Sequence, residues 1–419
     1  MIDRVPLFYR RDYLSFLVLC LVILSYSLLI EYNEYKSFTR FDTQLVKATV
    51  LKQYEKTRAS KTYQVLKLKS ANGLSFYSSA KKLFPISIGK TLRLEIWAGN
   101  ISFYEYLTGF YAYSKIRHID TDKTIKQRVN SFVSTQHTNP NITNIYQALF
   151  SATSLKPALQ VSFSNLGVSH LLAISGFHLG VLSALIFFLL KPIYTFFQNR
   201  YFPYRNSKAD LFMIVTLFLL SYLIFLDNPP SLIRAFSMLV VGFVLYDRGI
   251  KIISMQTLLL SVVLLLVLFP KLCFTLGLWL SVSGVFYIFL FLVHFKELSK
   301  IWQFILIPIW VYLLMLPFSL TLFSNFSIYH PLSIISTLMF SVFYPVSILL
   351  HIFGFGNLFD KLLEGFISLG DNGQTVILSY KVLITHIALS FLSVYKKIFI
   401  YLLLIFSFFI FIYAVNQIT

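Results

Sequence analysis

From about residue 168 to residue 414 the chain is a succession of apolar runs. Each is close to the ~20 residues that a helix needs to cross a bilayer, some being shorter. They fall near 168–190, 211–226, 231–246, 252–269, 272–294, 301–322, 332–352, 375–395 and 398–414, and another covers Tyr13–Ile30. Lipid satisfies no backbone N–H or C=O, so runs of this kind have to be helical. With 57% hydrophobic and 13% charged residues, the 419-residue chain lies outside the range of soluble proteins. The expected fold class is a polytopic α-helical membrane protein of about nine or ten spans.

Tyr13–Ile30 follows Arg4, Arg10 and Arg11, and Glu31–Lys36 offers no small-residue cleavage pattern. Residues 1–30 are therefore expected to be an uncleaved anchor with a cytoplasmic N-terminus. From that start, three cationic loops fall inside: Lys191, Arg200, Arg205 and Lys208; Arg248 and Lys251; Lys296 and Lys300. Strict alternation then places Lys396 and Lys397 outside. The conflict disappears if Leu332–Ile352, preceded by Pro331 and interrupted by Pro345, re-enters without crossing. Residues 357–371 would then be an amphipathic helix at the outer surface, with the C-terminus outside.

Residues 40–106 have a different character. Leu45–Tyr54, Thr62–Lys69, Leu74–Ser79 and Leu92–Trp97 alternate with period two, and Asn72-Gly73 and Gly89 punctuate them as turns. A small OB-like β-barrel is expected, in an extracytoplasmic domain covering 31–110. Between Glu31 and Asn165 there are 19 Lys and Arg against 8 Asp and Glu, most of the chain's net charge of +19. A basic folded module implies a polyanionic partner. Lys47, Lys52, Lys67, Lys69, Lys81, Lys82, Lys90 and Arg93 interleave with Tyr54, Tyr63, Phe76, Tyr77 and Trp97. Cations for phosphates and rings for bases suit a single strand; the alternative is a solvated basic face with some of these rings in the core. Residues 111–165 read as a polar, helical connection, 166–355 as the main membrane domain, and 356–419 as the amphipathic segment and last spans.

Four membrane features carry polar chemistry. His170-Leu-Leu-Ala-Ile-Ser175-Gly-Phe-His178 sets imidazoles and a hydroxyl in an apolar run, and helical geometry would align His170, Ser175 and His178 on one side. Pore lining is the expectation; a Ser175–His178 hydrolase pair is the alternative, without an acid to orient the histidine. Asn228-Pro229-Pro230 opens a helix carrying Arg234 one turn in, with Ser237 beyond. Arg234 is either a snorkelling side chain or a fixed charge beside a polyanion path. Phe274–Gly284, with Gly277, Ser281 and Ser283, reads by itself as tight helix packing. Leu316-Pro317 through Phe323 and Asn325 to His330-Pro331 signals broken helices, which are tolerated only where they line protein or water.

Cys20 and Cys273 lie far apart in apolar segments, and no histidine spacing suggests a metal. Ile88-Gly89-Lys90-Thr91 resembles the end of a phosphate loop, but its first glycine position is Phe84 and a strand follows. No cofactor and no enzymatic activity are expected.

In order and character these four features resemble the competence domain of the ComEC family over about residues 145–350. The first motif is matched at His170–His178, the second at Pro230, Arg234-Ala235 and Met238. The third is similar to Gly277-Leu-Trp279-Leu-Ser281, with Trp279 where the family usually has glutamine. The fourth is similar to Leu316-Pro317 through Phe323 to His330-Pro331, its polar residue before the helix break shifted or replaced. The resemblance implies a channel for single-stranded DNA in the bacterial cytoplasmic membrane during natural transformation. Its lining would include His170, Ser175, His178, Arg234, Ser237, Ser281, Ser283 and Asn325. An extracytoplasmic DNA receptor, a separate nuclease, a cytoplasmic motor or single-strand-binding protein and membrane lipid would be its partners; whether it forms an oligomer is open. Many family members carry a C-terminal metallo-β-lactamase-like domain; none is visible up to Thr419. A transporter of lipid or anionic polysaccharide is the rival reading, its basic domain binding headgroups or glycans.

Overall fold

The computed structural model describes residues 12–58, 61–70, 73–85, 87–120, 124–249 and 253–418. Arg4, Arg10 and Arg11 at the expected inside terminus, Asn72 of the expected turn and Lys251 of the second loop lie outside the described residues. The chain divides into two compact units. One holds Phe8–Ser131 and Val262–Leu276; the other holds Phe132–Ser261 and Gly277–Thr419.

The first unit begins with α1 (Asp12–Phe38) and continues through β1 (Thr43–Arg58), β2 (Lys61–Ser70), β3 (Ser75–Ala80) and β4 (Thr91–Trp97). A one-and-a-half-turn helix α2 (Phe103–Thr108) then precedes β5 (Ser114–Ile119). Neighbouring strands are antiparallel in the order β3-β2-β1-β4-β5. Alternation decides which side is buried. Ala48, Val50, Leu66, Leu68, Phe76, Leu92, Leu94 and Ile96 are at most 1% exposed and form one core with Tyr106 and Phe110. Phe76 stacks on Phe110 at 5.5 Å. Lys271, in the short turn Pro270–Phe274, pairs with Glu31 at 2.5 Å and sits 4.6 Å over the Tyr106 ring, fixing that segment to α1 and α2.

Two expectations are corrected here. The sheet is not a closed barrel: its edges meet at one parallel bridge, Tyr77 to Tyr111, with Tyr77 N–H donating to Phe110 O and Ala112 N–H to Tyr77 O. With only six residues, β3 cannot extend the ladder, while the far ends of β1 and β2 run on as a two-stranded ribbon through Thr57 and Thr62. Second, Ser114–Ile119 is a strand rather than part of a helical connection. Its residues complete the β4 edge, where Leu94 pairs with Ile116 and Glu95 with Lys115.

Beyond α3 (Ile125–Ser134) come α4 (Pro140–Ser151), α5 (Pro157–Asn165), α6 (Ser169–Leu172), α7 (Gly176–Tyr201), α8 (Ser207–Phe225) and α9 (Pro230–Asp247). These are followed by α10 (Met255–Leu268), α11 (Leu276–His294), α12 (Lys300–Phe323), α13 (Leu332–Ile352), α14 (Asp360–Ser368), α15 (Tyr380–Leu392) and α16 (Lys397–Asn416). Among the described residues, seven helices are long and apolar enough to cross a membrane: Leu14–Phe38, α7, α8, α11, α12, α13 and α16. The apolar helices α9, α10 and α15 have 18, 14 and 13 residues. The chain is thus a multi-pass helical membrane protein with a small N-terminal sheet.

Leu332–Ile352 is one continuous 21-residue helix with Pro345 inside it, long enough to cross, rather than a broken loop. Residues 360–368 are helical, and Leu363 packs with Phe163 and Tyr344 in a core shared by α4, α5, α6 and α13. Among the described residues three further cores organise the remaining spans, one of them packing Leu316 and Leu320 of α12 with Phe326, Val376 and Ile410. Another joins α7, α8 and α9 through Leu179, Leu219 and Leu232; the third joins α11, α12 and α16 through Tyr287, Leu314 and Leu403.

Candidate functional site

The His170–His178 stretch is not one helix, which corrects the single polar stripe expected of it. α6 ends at Leu172, Ala173 and Ser175 are extended, and Ser175 is the N-cap of α7. Serine is apt for that position because its hydroxyl competes well for free amide groups at a helix start. Here His178, three residues on, turns back: its Nδ1 accepts from the Ser175 backbone N–H at 3.2 Å, with the Ser175 hydroxyl at the same distance. The contact is therefore a helix cap, and among the described residues no carboxylate reaches either side chain. His178 is fully buried, with Phe340 and Tyr344 of α13 edge-on to its ring at 5.0 and 4.8 Å. Tyr344 in turn meets the hydroxyl of Tyr222 at 3.3 Å.

The break separates His170 from His178, and the two meet α13 at different residues. His170 is exposed; one ring nitrogen is 3.1 Å from Gly167 O and the other 3.3 Å from the Thr337 hydroxyl on α13. Gly167 has φ +69, and a Cβ there would lie 2.6 Å from the ring of His330. Only glycine satisfies both demands. His330 is 4% exposed, stacks on Phe326 at 4.8 Å and meets the Tyr312 hydroxyl at 3.2 Å, while its Nε2 is buried without a hydrogen-bond partner. Ser327, at the same break, donates to Asn165 O at 2.9 Å. The first and fourth motifs thus meet around Gly167.

The second motif docks on the first. Asp227 and Asn228, both at positive φ, make the tight turn from α8 into α9; short polar side chains tolerate that conformation. Ser231 donates to Ile174 O at 2.8 Å, and a Cβ on Gly176 would meet Ala235 Cβ at 3.1 Å. These contacts leave Arg234 pointing elsewhere, against Gly277 of the third motif, where a Cβ would be 3.4 Å from Nη1. Arg234 is 5% exposed, so it does not snorkel, and its Nε is buried without a partner. Ser281 is exposed, and Ser237 and Ser283 are half-buried on their helices; among the described residues no hydrogen bond joins them to the imidazoles. Asn325 is half-buried in a two-residue strand that pairs it with Thr375.

The sheet of the first unit presents its own basic face. Lys52, Lys67 and Tyr77 are directly opposite one another across β1, β2 and β3, with Lys67 Nζ 5.6 Å from the Tyr77 ring centre. Desolvation first, and the Lys67 charge second, hold the Lys52 ammonium below the ordinary lysine range. Lys47 is opposite Arg93, which lies 3.4 Å from Asp120. Tyr54, Tyr77 and Trp97 are exposed, as are Lys47, Lys81 and Lys82; Lys67, Lys69 and Lys90 are half-buried. Phe76 is a correction: it is 0% exposed within the core and unavailable to a base.

One buried network gave no sequence signal. His137 is stacked on Tyr146 at 4.6 Å, with Nδ1 2.9 Å from Asp360 and Nε2 3.0 Å from His351 Nε2. Ser347 O, 2.6 Å from His351 Nδ1, can only accept, so His351 carries a proton there, and one further N–H lies between the two Nε2 atoms. Its members are 214 and 223 residues apart, beyond any motif spacing.

Comparison with known proteins agrees with this arrangement. The family described as competence protein matches residues 151–418, more than half of the chain. ComE operon protein 3 of Bacillus subtilis (strain 168) is 29% identical over 194 residues, 45% of this chain. That match spans only 23% of the relative's length. No solved structure matches the chain. With all four membrane motifs inside the matched region and packed on one another, the chain belongs to the competence protein family, the ComEC family that its motifs resemble.

Proposed function

We propose that this chain carries single-stranded DNA across the bacterial cytoplasmic membrane during competence, its N-terminal sheet gathering the strand outside. The observation that carries this reading is that the first, second and fourth motifs bring nitrogen-rich, acid-free chemistry together and the third supplies the glycine under Arg234. His170, His178, His330 and Arg234 have no carboxylate partner among the described residues. His178 Nε2, His330 Nε2 and Arg234 Nε are buried without partners, which is costly in a membrane protein and marks the route of a polar ligand. A phosphate chain supplies the acceptors these groups lack, and water or cations must accompany it along the route. The row of Lys52, half-buried Lys67 and Tyr77 across three strands supports strand binding by the sheet, through counterion release and ring stacking. On this reading the sheet is outside and the N-terminus inside. A DNA receptor, a separate nuclease and a cytoplasmic motor or single-strand-binding protein act with it.

Cysteine substitution at His170, Ser175, His178 and Arg234, followed by crosslinking to an incoming strand, tests the route. Adducts at these positions are the expected result; adducts confined to lipid or glycan probes would favour transport of those molecules instead. For the sheet, full-length protein should prefer oligonucleotide to anionic liposomes, with affinity falling steeply with salt.

A further inference from the structure

Arg234 starts on one packed group of helices and ends on another. Its backbone belongs to α9, held by Ser231 to Ile174 just before α7 and by Ala235 to Gly176 of α7; its guanidinium lies against Gly277 of α11, whose packing partners are α12 and α16. Nη1 and Nη2 are 3.4 and 3.9 Å from where a Gly277 Cβ would be. The side chain is 5% exposed, its Nε is buried and unpartnered, and no carboxylate accompanies it among the described residues. A structural arginine in such a seam would be paired, since an unpaired buried charge is strongly unfavourable. A packing role would be filled better by leucine, and a snorkelling role requires a head that reaches water.

We infer that Arg234 is the residue that pairs with the strand's phosphodiester charge, and that Gly277 keeps its guanidinium fork open to receive two phosphate oxygens. This rests on the reading of the chain as a DNA passage. Planar, paired donors match the two free oxygens of a phosphodiester, whereas a lysine ammonium offers only a point charge. A methyl at position 277 would already touch Nη1 at 3.4 Å, and the further methyls of a valine would crowd the fork's approach. Glycine at 277 thus keeps larger side chains away from the guanidinium as well as serving helix packing.

The test uses full-length protein in membrane vesicles and two single strands of one sequence, each carrying one internal photoreactive sugar. One has ordinary phosphodiester linkages; the other has uncharged methylphosphonate linkages around the probe. Adducts on the Leu276–His294 helix are counted by mass spectrometry. In unaltered protein the charged strand should give at least tenfold more adducts there than the neutral one. Arg234→Gln should erase that ratio, Arg234→Lys should restore part of it, and Gly277→Val should lower the charged strand's yield with Arg234 intact. Equal yields from the two strands in unaltered protein would overturn the assignment without any variant having to fold. A ratio preserved in Arg234→Gln would do the same while leaving the passage in place. If neither strand reaches this helix while adducts form at His170 and His178, Arg234 is off the route; if no membrane helix is labelled at all, the passage itself is refuted.

Discussion

Neighbours in β3 face opposite sides of the sheet, so Phe76→Ala and Tyr77→Ala should fail in opposite ways. Phe76 is 0% exposed, in a core with Phe110, Leu66 and Leu94; Tyr77 is 36% exposed beside Lys67. Truncating a buried phenylalanine costs about 3–5 kcal/mol from lost transfer and an unfilled cavity. At about 1.4 kcal/mol per decade, the open form of the sheet becomes some two to four decades more populated. Pulse proteolysis of the full chain, scoring cleavage within Thr43–Ile119, reads that change directly. Tyr77→Ala should leave protection within a few-fold of the unaltered chain. Its loss should appear instead in oligonucleotide affinity, by about 1–3 kcal/mol if a base stacks there. Fluorescence anisotropy with a short labelled strand at fixed salt measures it. The argument is refuted if Phe76→Ala weakens DNA binding while retaining protection, or if Tyr77→Ala opens the sheet.

Three other perturbations have definite outcomes. Gly176→Val drives a branched side chain into Ala235 and should cost about 1–3 kcal/mol through overpacking, seen as a lower melting temperature of the detergent-solubilised chain. Asp360→Asn or His137→Gln removes one partner from a part-buried hydrogen bond and should cost about 1–3 kcal/mol in the same assay, with the two changes less than additive in the double variant. Lys52, lowered by desolvation and by Lys67, loses its proton at lower pH than an ordinary lysine, so the repulsion that opposes folding is relieved as pH rises through that point. A bound phosphate favours the ammonium, so oligonucleotide affinity should fall as pH rises through the alkaline range; Lys52→Arg should flatten that fall in anisotropy titrations.

What the sequence makes legible follows the range of the physics involved. Period-two alternation names Leu92, Leu94 and Ile96 as one face because pleating is local, and all three are buried. The same alternation could have placed Phe76 with Phe110 rather than with bases, since its neighbours Ser75 and Tyr77 are the outward pair; only the interleaved aromatics suggested otherwise. Apolar length exposes the spans for the same local reason, whereas barrel closure depends on how far β3 pairs with the chain before β5 beyond a single bridge, a long-range question. The break at Ala173–Ser175 hides inside an apolar run, because a serine N-cap and a helix-interior serine have the same composition. His178 three residues after Ser175 was the available clue to a cap.

The least legible feature is also the most informative about function. Arg234 looks in sequence like a charge one turn from a membrane surface, for which snorkelling is the ordinary solution. What rules this out is glycine on another helix, 43 positions away, making room where a side chain would otherwise stand. Gly277 alone would be read as helix packing and Arg234 alone as a headgroup contact. Only their juxtaposition leaves a buried guanidinium seated over a glycine with no anion of the protein's own beside it among the described residues. A fold that places such a group between two helix cores sets a standing penalty against its own stability. Removing the charge should therefore stabilise the empty protein while impairing passage: Arg234→Met should raise the melting temperature and lower strand transfer together. A variant that lost both, or neither, would mean that the arginine is held by structure rather than kept for a ligand.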